Sequence, residues 1–129
     1  MLTPTYCPVS HTLGLIGGKY KALLLWRLME GTQRYSQLRR SVPEATAKML
    51  TQQLREMEAD GLIARQVYPV VPPRVEYSLT ELGTSLKPIL ESIYTWGSAA
   101  LLEKGHTPNC AMTGCACELR DTHSFHKPL

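Results

Sequence analysis

Cys7 stands directly before Pro8, a residue that fits the first position of a helix, so its thiol falls at a helix N-terminus where free amides favour a negative sulfur. His11, one turn later, adds positive charge when protonated. A reactive thiol and a small buried hydrophobe both fit this position. The other three cysteines, Cys110, Cys115 and Cys117, crowd together near the end of the chain, with His106, His123 and His126 around them. This clustering does not fit a disulfide framework spread through a small secreted fold; it fits reduced thiols, redox chemistry or metal ligation. The C-x4-C-x-C spacing is not a pair of C-x2-C knuckles, yet Cys110, Cys115 and Cys117 with His123 can complete a tetrahedral metal site. Oxidation among these thiols and a flexible tail are the alternatives. No other cofactor is expected. Cys7 and His11 as nucleophile and base lack a third group, an oxyanion arrangement and a cofactor loop, which excludes an enzyme.

A second set of residues is suited to nucleic acid. Lys48, Thr51, Gln52 and Arg55 lie at helical spacing beside Met49, Leu50, Leu54 and Met57, so the polar set occupies the free face of an amphipathic helix. Gln can pair with adenine in two places, Arg with guanine, and the Thr methyl can touch thymine. Tyr35, Ser36, Arg39 and Arg40, a short stretch upstream, are of types that hold a phosphate backbone, and Arg65 and Arg74 downstream suit phosphate or minor-groove contact.

The elements that must position these groups follow from periodicity. Pro8 opens a short helix with Val9, Thr12, Leu13 and Ile16 on one side, and Gly17 and Gly18 end it. From Lys19, the residues Tyr20, Leu23, Leu24, Leu28 and Met29 mark a second helix with a buried face thickened by Leu25 and Trp26, ending at Gly31. After a polar link from Gly31 to Arg34, Tyr35, Leu38 and Val42 give a third helix, stopped by Pro43. Thr46 is the N-cap of a fourth, and Gly61 supplies its left-handed C-terminal position. Leu62 to Tyr68 and Arg74 to Leu79 then read as a two-stranded hairpin with a stiff, proline-rich tip. Thr80 caps a final helix in which Leu82, Leu86, Ile89, Ile93, Trp96 and Ala100 follow coiled-coil spacing, and Pro88 must kink or divide it.

This order is that of a mainly α winged helix-turn-helix with a β-hairpin wing and a terminal dimerisation helix. The seam of Leu86, Ile89, Ile93, Trp96 and Ala100 is longer than so small a domain needs for its own core, which predicts a homodimer. A twofold dimer sets its reading helices about 34 Å apart and predicts an inverted-repeat operator in double-stranded DNA. Residues 1–105 are expected to form this domain and 106–129 a Cys/His-containing tail.

Composition is consistent with one domain: 129 residues, 43% apolar, with a net charge of +3. The charge is unevenly placed: Lys19 to Arg74 carries +5, and Val75 to Glu103 carries −3. No apolar run approaches the roughly 20 residues of a membrane span and no secretory signal opens the chain, so the expected location is the cytoplasm, with no membrane partner.

The chain resembles the HxlR-type winged helix-turn-helix transcriptional regulators, relatives of the MarR class. The likeness rests on Cys7-Pro8-Val9, Leu15-Ile16-Gly17-Gly18-Lys19-Tyr20, Tyr35-Ser36-Gln37-Leu38-Arg39, Leu50-Thr51-Gln52-Gln53-Leu54-Arg55-Glu56, Asp60-Gly61-Leu62-Ile63 and Val71-Pro72-Pro73-Arg74-Val75-Glu76-Tyr77-Ser78-Leu79-Thr80. It covers about residues 6 to 103. The resemblance implies a bacterial dimeric DNA-binding regulator, its dimer built from the terminal helices and its wing tip from the Pro-Pro-Arg segment. It also implies oxidant or electrophile sensing at Cys7. A winged helix used for protein contact, and a metal-responsive regulator using the tail, are the competing functions.

Overall fold

The computed structural model describes residues 6–108. The first element, α1 (Pro8–Ile16), has Pro8 in its first turn and Cys7 as an extended N-cap whose side chain makes no capping hydrogen bond. After Gly17 and Gly18 comes α2 (Lys21–Leu28), which buries Leu24, Leu25, Trp26 and Leu28. Leu23, expected on the buried face, is exposed instead, because the inward arc of this short helix is filled by its neighbours.

A two-residue strand, β1 (Gln33–Arg34), leads directly into α3 (Tyr35–Ser41), and the Arg34 N–H donates to Gln37 Oε1 at 2.8 Å. The next helix, α4 (Ala47–Ala59), starts as its sequence predicts: the Thr46 hydroxyl accepts the Met49 N–H at 3.1 Å. Its end is a paired reversal. Leu62 N–H donates to Met57 O at 2.9 Å and Gly61 N–H to Glu58 O at 3.0 Å, with Gly61 at φ +81°, a conformation that favours glycine.

β2 (Ile63–Tyr68) and β3 (Arg74–Leu79) form the wing, in antiparallel register from Ile63 opposite Leu79 to Tyr68 opposite Arg74. The sheet has three strands, in the order β1-β3-β2, where the sequence suggests two. Gln33 pairs with Tyr77 and Arg34 with Glu76. A two-residue strand has no detectable alternation, so it reads as a polar link until β3 is seen beside it. Thr80 closes the wing at its base, its hydroxyl donating to Gly61 O at 2.6 Å and accepting Gly83 N–H at 3.1 Å.

Pro88 divides the terminal helix. A single turn, α5 (Glu81–Thr84), precedes α6 (Lys87–Glu103), with Pro88 in the first turn of α6 where its missing N–H costs nothing. The division corrects the predicted seam: Leu86 belongs to the monomer's core rather than the free face. Leu90 is buried with it, and Tyr94 stacks on Trp26 with ring centroids 5.6 Å apart, joining α6 to α2. At the centre of the core lie Leu24, Leu25, Leu38, Leu50, Leu54, Met57, Leu62 and Ile63, drawn from α2, α3, α4 and the start of β2.

Candidate nucleic-acid interface

The turn from Val42 to Thr46 sets α3 against α4, with Val42 and Ala45 buried beneath it. Leu50, Leu54 and Met57 hold one side of α4 in the core, which turns Lys48, Gln52 and Arg55 outward. Thr46 is exposed, but its hydroxyl is engaged as the helix cap. Tyr35 Oη and Thr51 Oγ1 lie 3.4 Å apart and tie the start of α3 to the middle of α4.

Beside the outward side of α4 is a cleft of about 810 Å³. Arg34, Tyr35 and Ser36 form one side, and Thr51, Arg55 and Glu58 of α4 another. The wing supplies the rest: Arg65, Val75 and Tyr77 from its strands, with Val70, Val71, Pro72, Pro73 and Arg74 at its tip. Four guanidinium groups therefore face one carboxylate, that of Glu58. A solvent-open concavity of this charge attracts polyanions.

The groups within it are partly fixed. Burial raises the Tyr77 hydroxyl above its ordinary value, against the opposing effect of a hydrogen bond and positive charge from Arg65, so it remains a neutral hydroxyl. Arg74 lies 5.6 Å over the Tyr68 ring, and its Nη1 is 3.4 Å from Glu76 Oε2. Val71 at the tip is 99% exposed.

The structure thus gathers Tyr35, Ser36, Thr51, Arg55, Arg65 and Arg74 around one cleft. Arg39 and Arg40 are exposed on α3 and Lys48 and Gln52 on α4, none of them lining it. Gln52 is held along its own helix, Nε2 donating to Glu56 Oε2 at 3.3 Å. Sequence reasoning missed Arg34. Its signal was present, a basic residue directly before Tyr35, but only the pairing of β1 with β3 shows that this residue borders the cleft.

The other expected sites separate from this one. Cys7 is exposed at the start of α1, with Tyr6 before it and Val9 and Leu13 of the helix after it exposed as well. On α6, Ile89, Ile93 and Trp96 are exposed, Trp96 to 75%, while Ala100 is half-buried. Cys110, Cys115, Cys117 and His123 lie outside the described residues. Among the described residues no cluster of three metal-ligating side chains occurs, and no helix is long and apolar enough to cross a membrane.

The HxlR-like helix-turn-helix family model matches residues 15–104. An HTH-type transcriptional regulator of Bacillus subtilis, YybR, is 50% identical over 93 residues, which cover 72% of this chain and 74% of that protein. The redox regulator HypR in its oxidized form superposes with a TM-score of 0.69 at 50% identity, over 72% of this chain and 96% of HypR. The reduced form of the transcriptional regulator YodB from B. subtilis gives a TM-score of 0.64 at 32% identity, over 73% of this chain and 94% of YodB.

Proposed function

The chain belongs to the HxlR-like helix-turn-helix family of transcriptional regulators, and from this premise we propose that it binds an inverted-repeat operator as a homodimer under the control of Cys7. It is a regulator, not an enzyme. The observation that carries the proposal is the arginine-rich cleft between α4, the start of α3 and the wing, continuous with the outward face of α4. Arg34, Tyr35, Ser36, Arg39, Arg40, Arg65 and Arg74 hold the phosphate backbone, and Lys48, Thr51, Gln52 and Arg55 meet base edges in the major groove. Thr46 orients the free amides at the start of α4 toward a phosphate.

Dimerisation is supported by the apolar side chains of α1 and α6 that the monomer leaves in water, Val9 and Leu13 on one and Ile89, Ile93 and Trp96 on the other. Ala100 borders the same face. Cys7 is exposed at the start of α1, where a small oxidant or electrophile can reach it. Hydrogen peroxide would convert the thiol to a sulfenic acid with release of water, and an electrophile would add to Sγ with loss of the thiol proton. Either product sits next to Tyr6 and Val9, so its added bulk or polarity changes the packing of the two copies. That two similar structures are of HypR, a redox regulator, and of YodB in its reduced form supports the same reading.

Selection of genomic fragments by reduced and by peroxide-treated full-length protein tests these points together. The expected result is enrichment of one twofold-symmetric sequence by one form, with affinity falling steeply with salt. A Cys7→Ser variant should behave as the reduced protein does, with or without peroxide. Absence of any sequence preference would leave a protein-contact role for the winged helix.

A further inference from the structure

Lys21 is the only charged residue buried among the described ones, at 6% exposure, and it lies at the first position of α2, distant in sequence from the reading face. An ammonium group removed from water needs a paired anion. Glu56 of α4 provides it, with Nζ and Oε1 2.6 Å apart. The second oxygen of that carboxylate accepts from Gln52 Nε2 at 3.3 Å, from one turn earlier on α4. One carboxylate thus bridges a core lysine to a surface glutamine.

We infer that Lys21 is a positioning residue for base reading: through Glu56 it fixes the orientation in which Gln52 leaves α4. The inference rests on the DNA-binding reading above.

Three further observations support it. Beside the ion pair, Tyr20 N–H donates to Gln53 Oε1 at 2.9 Å, so two residues of α4 one turn apart are tied to the start of α2, which fixes the rotation of α4 about its own axis. A Cβ on Gly18 would meet Cγ, Cδ and Cε of Lys21 at 3.0 Å, so the lysine stem runs close against Gly18 and would have to give by a few tenths of an ångström to admit a side chain there. Hydrogen bonds from Lys21 and Gln52, with the lysine charge, hold the Glu56 carboxyl below its ordinary value and keep it an acceptor.

An ionised carboxylate can only accept, which decides which end of the Gln52 amide faces it. One Nε2 hydrogen is committed to Glu56. The other, together with Oε1, remains for a base, and that donor-acceptor pair is what adenine recognition requires. Without the tether, the three torsions of Gln52 must be ordered at the moment of binding.

The test is a base-by-base competition assay with full-length protein on the duplex that the wild type selects, each position substituted in turn. Gln52→Ala identifies the position that Gln52 reads. Lys21→Met should lower discrimination at that position about tenfold, leave discrimination elsewhere and the salt slope as in the wild type, and add nothing further in a Gln52→Ala background. Because Lys21→Met leaves Glu56 unpaired, Lys21→Met/Glu56→Leu, which removes both charges, provides a second variant that keeps the contact apolar, with the same expected loss. Wild-type discrimination in a folded variant, a uniform weakening at all positions, or additivity with Gln52→Ala would overturn the inference while leaving DNA binding intact. A wild type with no sequence preference, or one in which Gln52→Ala changes no position, would overturn it together with the reading on which it rests.

Discussion

Two apolar surfaces of the same chain meet opposite fates. The inward side of α4 buries Leu50, Leu54 and Met57 completely in the core, against α2 and β2, whereas Val9 and Leu13 of α1 and Ile89, Ile93 and Trp96 of α6 are exposed. The residue types hardly differ; what differs is the rest of the helix. Opposite the buried stripe, α4 carries Lys48, Gln52, Arg55 and Glu58, so its orientation is fixed by a strong contrast between faces. The outer helices are apolar on more than one side. In α6 the inward line Leu90, Tyr94 and Ser98 meets the core, leaving a second apolar line with no partner among the described residues. Burial within one copy and the proposed burial between two copies use the same types of side chain, and only the core of the monomer separates them.

That contrast can be broken most strongly at its buried end. Leu54→Ala should cost about 2–5 kcal/mol and lower the midpoint of thermal unfolding regardless of protein concentration. Trp96→Ala should leave the unfolding of the monomer nearly unchanged and weaken association by about 2 kcal/mol, roughly thirtyfold, read by equilibrium sedimentation. A loss of fold in the second variant, or of association alone in the first, would merge the two surfaces.

Smaller effects sharpen the division within the DNA-facing side. Arg55→Ala should cost about 1–3 kcal/mol at one base position, read as altered discrimination in competition binding. Arg34→Ala should weaken binding evenly across sequences and reduce the salt slope by about one, because the contact proposed for this sheet-edge residue is with phosphate rather than bases. The smallest expected effect is on pH. The Glu56 carboxyl is held low in the fold, so the stability it contributes is present above its ordinary value near 4.5 and is lost as pH falls below that toward the depressed value. Titrating thermal stability from pH 6 down to pH 3 should show a shallower fall in Lys21→Met/Glu56→Leu than in the wild type.

Much of this arrangement is legible in the sequence wherever one residue marks a boundary. Pro8, Thr46 and Gly61 mark their helix ends because each acts on the adjacent backbone. Pro88 signals a break, though not that the break would turn Leu86 inward. The outward set Lys48, Gln52 and Arg55 follows from the inward one by helical geometry alone. What periodicity cannot carry is pairing over distance. β1 exists because Tyr77 and Glu76 lie beside Gln33 and Arg34, and the Lys21–Glu56 ion pair joins residues that only the tertiary fold brings together.

The two tryptophans of the chain divide along the same line as its apolar surfaces. Trp26 is buried and stacked on Tyr94, and Trp96 projects into water. Indole emission shifts to shorter wavelength as water is removed from the ring, so pairing of two copies through α6 would move the emission of Trp96 and leave that of Trp26 in place. The intrinsic fluorescence of the protein would therefore report the proposed assembly without a label, and a Trp96→Phe variant isolates the constant component.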